Sequence, residues 1–270
     1  DTVPIGADAD GLEAPMLDET SRATGSRWGG VQVYRRAETD TVTATKVRFA
    51  AFDLRLEDLM AISYASERSL RAATTAYASE FSFVIDDEIV RGDGNGRCQG
   101  ILNANALVSV AKETGQAAAS IFSTNLSKMW ARLPARNRAN ARWFINQECE
   151  PMLDELSIAV GTGALDSKIV TYGPDGVLRI KGRPVTIVEQ MAAVGTQGDI
   201  MVADMNEYCL ITKDGLDAQE SIHVRFLYNE RAFRWVTRIN GQSKWQTSLT
   251  PYKGTANQKL SPFVVLDTRS

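Results

Sequence analysis

The sequence predicts an α+β fold, and three observations carry that reading. One long segment, Ser66 to Arg91, contains neither Gly nor Pro and places Leu70, Ala73, Tyr77, Phe81, Val84 and Ile89 near helical spacing. Short apolar runs of strand character are spread through the rest of the chain. They mix with short helical segments without the regular strand–helix–strand alternation of a doubly wound sheet.

Asp1 to Arg27 is rich in Gly, Ala, Asp and Pro and has little periodicity, so residues 1–26 read as an extended arm rather than a packed element. In RWGGVQVYRRAETDTVTATKVRFAAFDLRL, Arg27 to Leu56, Val31 and Val33 alternate with polar neighbours and RRAETD is turn-like. Val47, Phe49, Phe52, Leu54 and Leu56 then resume a period near two. This predicts a long charged β-hairpin over 27–56. Its Arg35, Arg36, Glu38, Asp40, Lys46 and Arg48 leave too little apolar surface for it to be stable alone, so it must lean on another surface. The helix after it has Ser66 as N-cap and Glu67 in the first turn, where the helix dipole favours a carboxylate. At 1.5 Å per residue it runs about 37 Å, beyond the usual globular length.

In the second half, NLSKMWARLP (Asn125 to Pro134) predicts a helix stopped by proline, and ARWFIN (Ala141 to Asn146) a buried strand. ECEPMLDELSIAV (Glu148 to Val160) predicts a helix with Pro151 near its start. TYGPDGVLRIKGRPVTIVEQM carries a Pro-Asp-Gly turn between strands. GDIMVADMNEYCLITKDG and IHVRFLYNERAFRWVTRINGQSKW are both β-rich.

The stretch FSFVIDDEIVRGDGNGRCQGIL, Phe81 to Leu102, invites a ligand site. A calcium loop needs oxygen ligands at alternate positions and Gly at the sixth. Starting at Asp87 puts Ile89 at the third position, and starting at Asp93 puts Cys98 where Gly is required. The G-x-G-x-x-G fingerprint fails because Gly94 and Gly96 are followed by Gln99, and no G-x-x-x-x-G-K-[ST] occurs. What remains is a helix terminus in which Gly92, Gly94 and Gly96 permit positive φ.

Composition narrows the function classes. The 30 basic and 33 acidic residues leave a net charge of −3, without the basic footprint of a chain that grips nucleic acid, although a local basic patch stays open. No apolar run approaches the roughly 20 residues that cross a bilayer, and DTVPIGADADGLEAP has no signal-peptide pattern, so neither membrane nor secretion is expected. The first residue is Asp1 rather than Met, compatible with proteolytic trimming or with a first segment outside this sequence. Cys98, Cys149 and Cys209 have no paired spacing, which argues for buried thiols over disulfides or zinc. The single histidine, His223, alternates with Val224 and Phe226 in strand fashion, so a structural or surface role is expected rather than a general base. Asp86–Asp87–Glu88, and Asp53 with Glu57 and Asp58, read as solvated or ion-paired faces, and the five tryptophans as core or subunit-contact anchors. No catalytic residue, cofactor or metal ligand is expected.

The order of these segments resembles the major capsid proteins of tailed bacteriophages, whose shell-forming fold is named after phage HK97. The resemblance rests on the arm, the W…RRAETD…F hairpin, and the long helix ending FVIDDEIVRGDGNGRCQGIL. It continues through RWFIN…LDEL…GPDGVLRIKGRPVTIVEQM, GDIMVADMNEYCLI, FLYNERAFRWVTRINGQ and SPFVVLD, and spans nearly the whole chain after about Arg27. It implies an HK97-like capsid fold with an extended loop over 27–56, a peripheral domain over 57–119 holding the spine helix, an axial domain over 120–221 and a return to the peripheral domain over 222–270. It also implies identical subunits as partners, in hexamers and pentamers of a virion shell assembled in the bacterial cytoplasm, with portal, scaffold or decoration proteins as further candidates. A scaffolding segment removed before Asp1 is compatible with the family. The DNA inside is enclosed without sequence-specific binding.

A charged hairpin without its own core suits a chain that drapes over like copies, and mixed-sign charges there select register. The subunit-contact candidates are Trp28, Arg35, Arg36, Glu38, Asp40, Lys46 and Arg48. Some members of the family weld subunits through a Lys–Asn isopeptide bond assisted by a glutamate. Asn229 matches the family's acceptor in placement and Lys46 or a neighbour on the hairpin is the only plausible donor, but Ala232 to Arg238 reads AFRWVTR without an acid, so no autocatalytic crosslink is expected. An encapsulin-type compartment shell, which has the same fold around enzyme cargo, is the nearest alternative. An α+β enzyme with Asp86 to Glu88 in a cleft is a weaker one.

Overall fold

The computed structural model describes residues 1–35, 41, 43–65, 67–160, 165–223, 230–255 and 257–269. They form two compact units, each built from separate stretches of the chain. Asp1–Ala14, Ala51–Ala104 and Tyr208–Lys244 make the first, and Pro15–Ala50, Asn105–Glu207 and Trp245–Ser270 the second.

The first unit is a helix on a four-stranded sheet. Strands β1 (Thr2–Pro4), β4 (Glu57–Ala65), β13 (Tyr208–Ser221) and β14 (Arg231–Ser243) lie in the order β1-β13-β14-β4. The β13–β14 and β14–β4 pairs are antiparallel, and β1 is parallel to β13. Helix α1 (Glu67–Arg91) matches the expected spine helix, while its expected N-cap, Ser66, lies outside the described residues. Tyr77, Phe81 and Val84 return at i, i+4 and i+7 and so share one helix face. Phe81 and Tyr77 pack on Phe233, Trp235, Leu59 and Ala61 of the sheet, and the Tyr77 ring stacks on Trp235 at 4.0 Å. Burying aromatic area in this way supplies the packing that α1's own sequence, mostly polar on its exposed face, does not.

Two expectations fail here. The N-terminal arm is not wholly free of packed structure: β1 joins the sheet, and the Asp1 ammonium donates to the Tyr208 carbonyl at 2.9 Å. Backbone pairing of this kind needs no side-chain periodicity, so the composition did not announce it. Nor do the described residues of 27–56 pair with one another as a β-hairpin. Strand β3 (Phe49–Arg55) pairs with β2 (Gly11–Leu17), whereas Val31 to Arg35 carries no strand.

The second unit is built on a mixed seven-stranded sheet. Its strands are β5 (Val108–Val110), β6 (Arg142–Ile145), β9 (Val170–Tyr172), β10 (Leu178–Ile180), β11 (Arg183–Ile187), β12 (Ile200–Ala203) and β15 (Phe263–Leu266). The order is β5-β15-β12-β6-β11-β10-β9. Every residue of β12 and β15 is buried, as expected for central strands that read as unbroken apolar runs. Helix α2 (Ser123–Arg132) places Leu126 and Met129 in the same core as Trp143, Ile145 and Val264. Trp143 donates its indole N–H to the Ile180 carbonyl at 3.1 Å. The Pro-Asp-Gly turn joins β9 to β10 as expected, with Gly176 at φ 73.

Helix α3 (Glu150–Asp154) is shorter than the sequence suggests. Ser157–Val160 is strand β7, paired with β8 (Leu165–Lys168), rather than the last turns of a helix. A short apolar run with β-branched members fits either period, and the hairpin partner decides. No helix among the described residues is long and apolar enough to cross a membrane.

Candidate functional site

The glycine-rich stretch is a helix terminus. Gly92 donates to the Glu88 carbonyl at 2.8 Å, closing α1, and the Asn103 side-chain amide donates to the carbonyls of Arg91 (2.8 Å) and Gly92 (2.9 Å). These bonds satisfy carbonyls that the helix end leaves open. Gly94 and Gly96 have the expected positive φ, at 77° and 69°. Gly92 does not: a Cβ there would lie 2.0 Å from the Cys98 carbonyl oxygen, so close backbone approach is what demands glycine.

The acidic cluster before it is dispersed. Asp86 and Asp87 are exposed, and partial burial raises the Asp86 pKa. Glu88 instead turns inward and accepts from the Cys98 backbone N–H at 3.3 Å. Burial, with the Glu88 carboxylate nearby, pushes the Cys98 thiol up to about 12. Burial and Asp199 push Cys149 to about 12 as well. All three cysteines are buried and free, so these thiols are inert fillers. No metal-grade cluster of His, Cys, Asp or Glu occurs among the described residues. His223 lies just past the end of β13 rather than in a strand, and is exposed.

The charged loop has a built base. Trp28 (φ 52), Gly29 (φ 70) and Gly30 (φ 94) turn the chain so that the Gly29 carbonyl accepts from the Arg48 N–H at 2.8 Å. A Cβ on Gly29 would sit 2.7 Å from the Arg48 carbonyl oxygen. The Trp28 ring, 48% exposed, lies under two guanidinium groups, Arg22 at 4.8 Å and Arg136 at 5.3 Å. Arg136 also covers Trp245 at 4.9 Å, and Arg27 covers Tyr252 at 4.9 Å. Each such contact is worth about 0.5–1 kcal/mol at an exposed site. Burial, with repulsion from Arg136 and Arg27, holds the Arg22 pKa below the ordinary guanidinium value against the pull of Glu19.

Of the contact candidates, the structure brings Trp28 and Arg48 together at this base. Arg35 and Lys46 are exposed, and Arg36, Glu38 and Asp40 lie outside the described residues. Asn229, the other half of the crosslink pair, also lies outside them. Acids on the strands flanking Ala232 to Arg238 are held by arginines: Asp58 by Arg238 at 2.9 Å and Glu220 by Arg231 at 3.3 Å. The sequence did not signal Arg22, Arg136 and Trp245 as neighbours of Trp28, because long-range cation–π contacts leave no local pattern.

A second surface also went unnoticed. Along β4, Leu59 and Ala61 pack toward α1, while Met60 and Ile62 on the opposite face are 53% and 60% exposed. A strand that is apolar on both faces ordinarily reads as doubly buried, so the sequence does not announce this exposure.

A model of the phage capsid family matches residues 13–254. The chain belongs to the phage capsid family. Solved structures share its fold at low identity. The capsid of a native GTA particle is 16% identical, with a TM-score of 0.72, covering 100% of this chain and 88% of that one. The Microbacterium phage Oxtober96 structure gives 15% identity and a TM-score of 0.60, covering 98% and 88%. The holo-SrpI encapsulin complex from Synechococcus elongatus PCC 7942 gives 10% and 0.54, covering 98% and 84%. Comparison with curated proteins gave no match. This capsid protein therefore has the HK97-like fold expected from its segment order, and family and fold make it a structural shell protein built to associate with identical copies in a virion.

Proposed function

We propose that the protein is the major capsid subunit of a tailed bacteriophage. Identical copies form the hexamers and pentamers of an icosahedral shell that encloses double-stranded DNA, assembled in the cytoplasm of the host bacterium. The family match over residues 13–254 carries this reading. In it, the unit holding α1 is the peripheral domain and the unit built on the seven-stranded sheet is the axial domain, with the loop ending near Arg48 reaching a neighbour. Trp28, Arg35, Arg36, Glu38, Asp40, Lys46 and Arg48 act as contact residues, and portal, scaffold or decoration proteins join the shell. The near-neutral net charge of −3 suits a wall that contains DNA without gripping it.

Lys46 and Asn229 stay unlinked in this reading, since AFRWVTR supplies no acid to assist them. A ladder on a boiled, reducing gel of intact particles would overturn that point. The encapsulin-type shell is the second reading, supported by the shared fold of the SrpI complex. Particles from the native source separate the two: nuclease-protected genome-length DNA supports the phage shell, and a folded enzyme as sole cargo supports the compartment.

A further inference from the structure

Strand β4 is the outermost strand of its sheet. β14 lies on one side, and among the described residues no strand lies on the other. Every second N–H and C=O along it therefore points away from the sheet. Proteins usually blunt such an edge with Pro, Lys or a bulge. β4 reads EDLMAISYA and pairs with β14 in unbroken register, so it has none of these devices. A groove of about 130 Å³ is lined by Leu59, Met60 and Ala61 of β4 with Tyr77, Glu80, Phe81 and Val84 of α1. Met60 faces away from Leu59 and Ala61, so a groove touching all three follows the free edge of the strand.

The chain also holds a strand-like segment that pairs with no strand among the described residues. VQVY, Val31–Tyr34, alternates apolar and polar residues in residue types that favour strands. Val31 is extended (φ −62, ψ 129), yet no described strand pairs with the segment, and Val33 is 93% exposed. The Tyr34 hydroxyl donates to Gln32 Oε1, which puts those two side chains on one side and leaves Val31 and Val33 for the other.

We propose that VQVY of one copy adds as an antiparallel strand to the free edge of β4 in a second copy. This rests on the shell reading and names the surface through which neighbouring subunits join. Charge sets the direction, because Arg35 and Arg36 follow VQVY while Glu57 and Asp58 open β4, and only antiparallel pairing brings the two ends together. Side-chain parity sets the register. With Arg35 opposite Asp58, Val33 lies opposite Met60 and Val31 opposite Ile62, apolar on apolar. Tyr34 and Gln32 then fall opposite Leu59 and Ala61, which seats the Tyr34 ring in the groove against α1. A slip of one residue would exchange the faces and drive Arg35 toward the groove instead. Asp58 already accepts from Arg238 at 2.9 Å, but a carboxylate has acceptor capacity for a second arginine.

Disulfide trapping in assembled particles tests the pairing. Facing residues of an antiparallel pair have Cα atoms about 4.5–5.5 Å apart, within the span that a disulfide bridges. Size-exclusion chromatography comes first and stands apart: wild-type protein that makes no particles sinks the shell reading itself. In particles mixed from equal amounts of V33C and M60C subunits, mild oxidation should shift up to about half of the chains to a dimer band on a non-reducing gel, since a V33C strand meets an M60C edge at every second contact on average. Particles of either single variant should stay monomeric, as should mixtures of V33C with L59C, which points to the other face. Intact mixed particles without a dimer band would overturn the proposal. So would a V33C/M60C double variant whose disulfide closes within one chain. If those substitutions prevent assembly, V31C with I62C, the next rung of the same ladder, is read in the same way.

Discussion

Single residues hold the second unit shut and give the first unit its turn. Arg269 and Asp199 form a fully buried ion pair, and Asp199 also accepts from the Gly195 N–H at 2.9 Å. Arg269→Met leaves a carboxylate in the core without its counter-charge, at an expected cost of about 3–5 kcal/mol, read from the urea midpoint of dissociated subunits. Gly92→Ala should also destabilise, because the added methyl would meet the Cys98 carbonyl at 2.0 Å. The equivalent change at Gly96, where the methyl finds open space but φ stays positive, should cost less on the same measurement. The thiols of Cys98 and Cys149 keep their protons to about pH 12 in the folded chain, against an ordinary value of 9.0. Above pH 9 the unfolded chain therefore releases protons that the folded chain retains. Stability should be unaffected by these groups below pH 9 and fall as pH rises toward 12, and C98A/C149A should flatten that part of the profile. The sequence made the burial of these cysteines legible through their spacing. It could not separate the reasons for three nearby glycines, since positive φ and close approach look alike in one letter.

At the scale of elements, periodicity did most of the work where an element buries one face locally. The helix over Glu67–Arg91 was legible because Tyr77, Phe81 and Val84 repeat at its period, and the turn between β9 and β10 because Pro-Asp-Gly admits few conformations. What it packs against was not legible: Trp235 and Phe233 come from a strand far along the chain. Trp235→Ala should remove the stack on Tyr77 at 4.0 Å and cost about 3–5 kcal/mol, seen as an earlier thermal transition. The hairpin over 27–56 failed for a related reason. Its two halves alternate correctly, but alternation marks a strand without naming its partner, and β3 finds β2 instead. The unused half, Val31 to Tyr34, is the segment assigned to a neighbouring copy.

For the whole molecule, the sequence carried the class of protein through the order of its segments more than through any motif. The interleaving of the units was harder to read. Tyr208–Lys244 belongs with α1 and Trp245–Ser270 with the other unit, so the chain crosses between them at points that composition does not mark. In the proposed shell, copies of the same chain cover the exposed apolar edge of β4 and the segment Val31–Tyr34, which pairs with no strand among the described residues. Cryo-electron microscopy of the purified protein tests this most directly. Closed icosahedral particles of megadalton mass, with the α1 unit and the seven-stranded unit in repeated positions around each symmetry axis, are the predicted result, and a homogeneous population of isolated monomers under assembly conditions would contradict it.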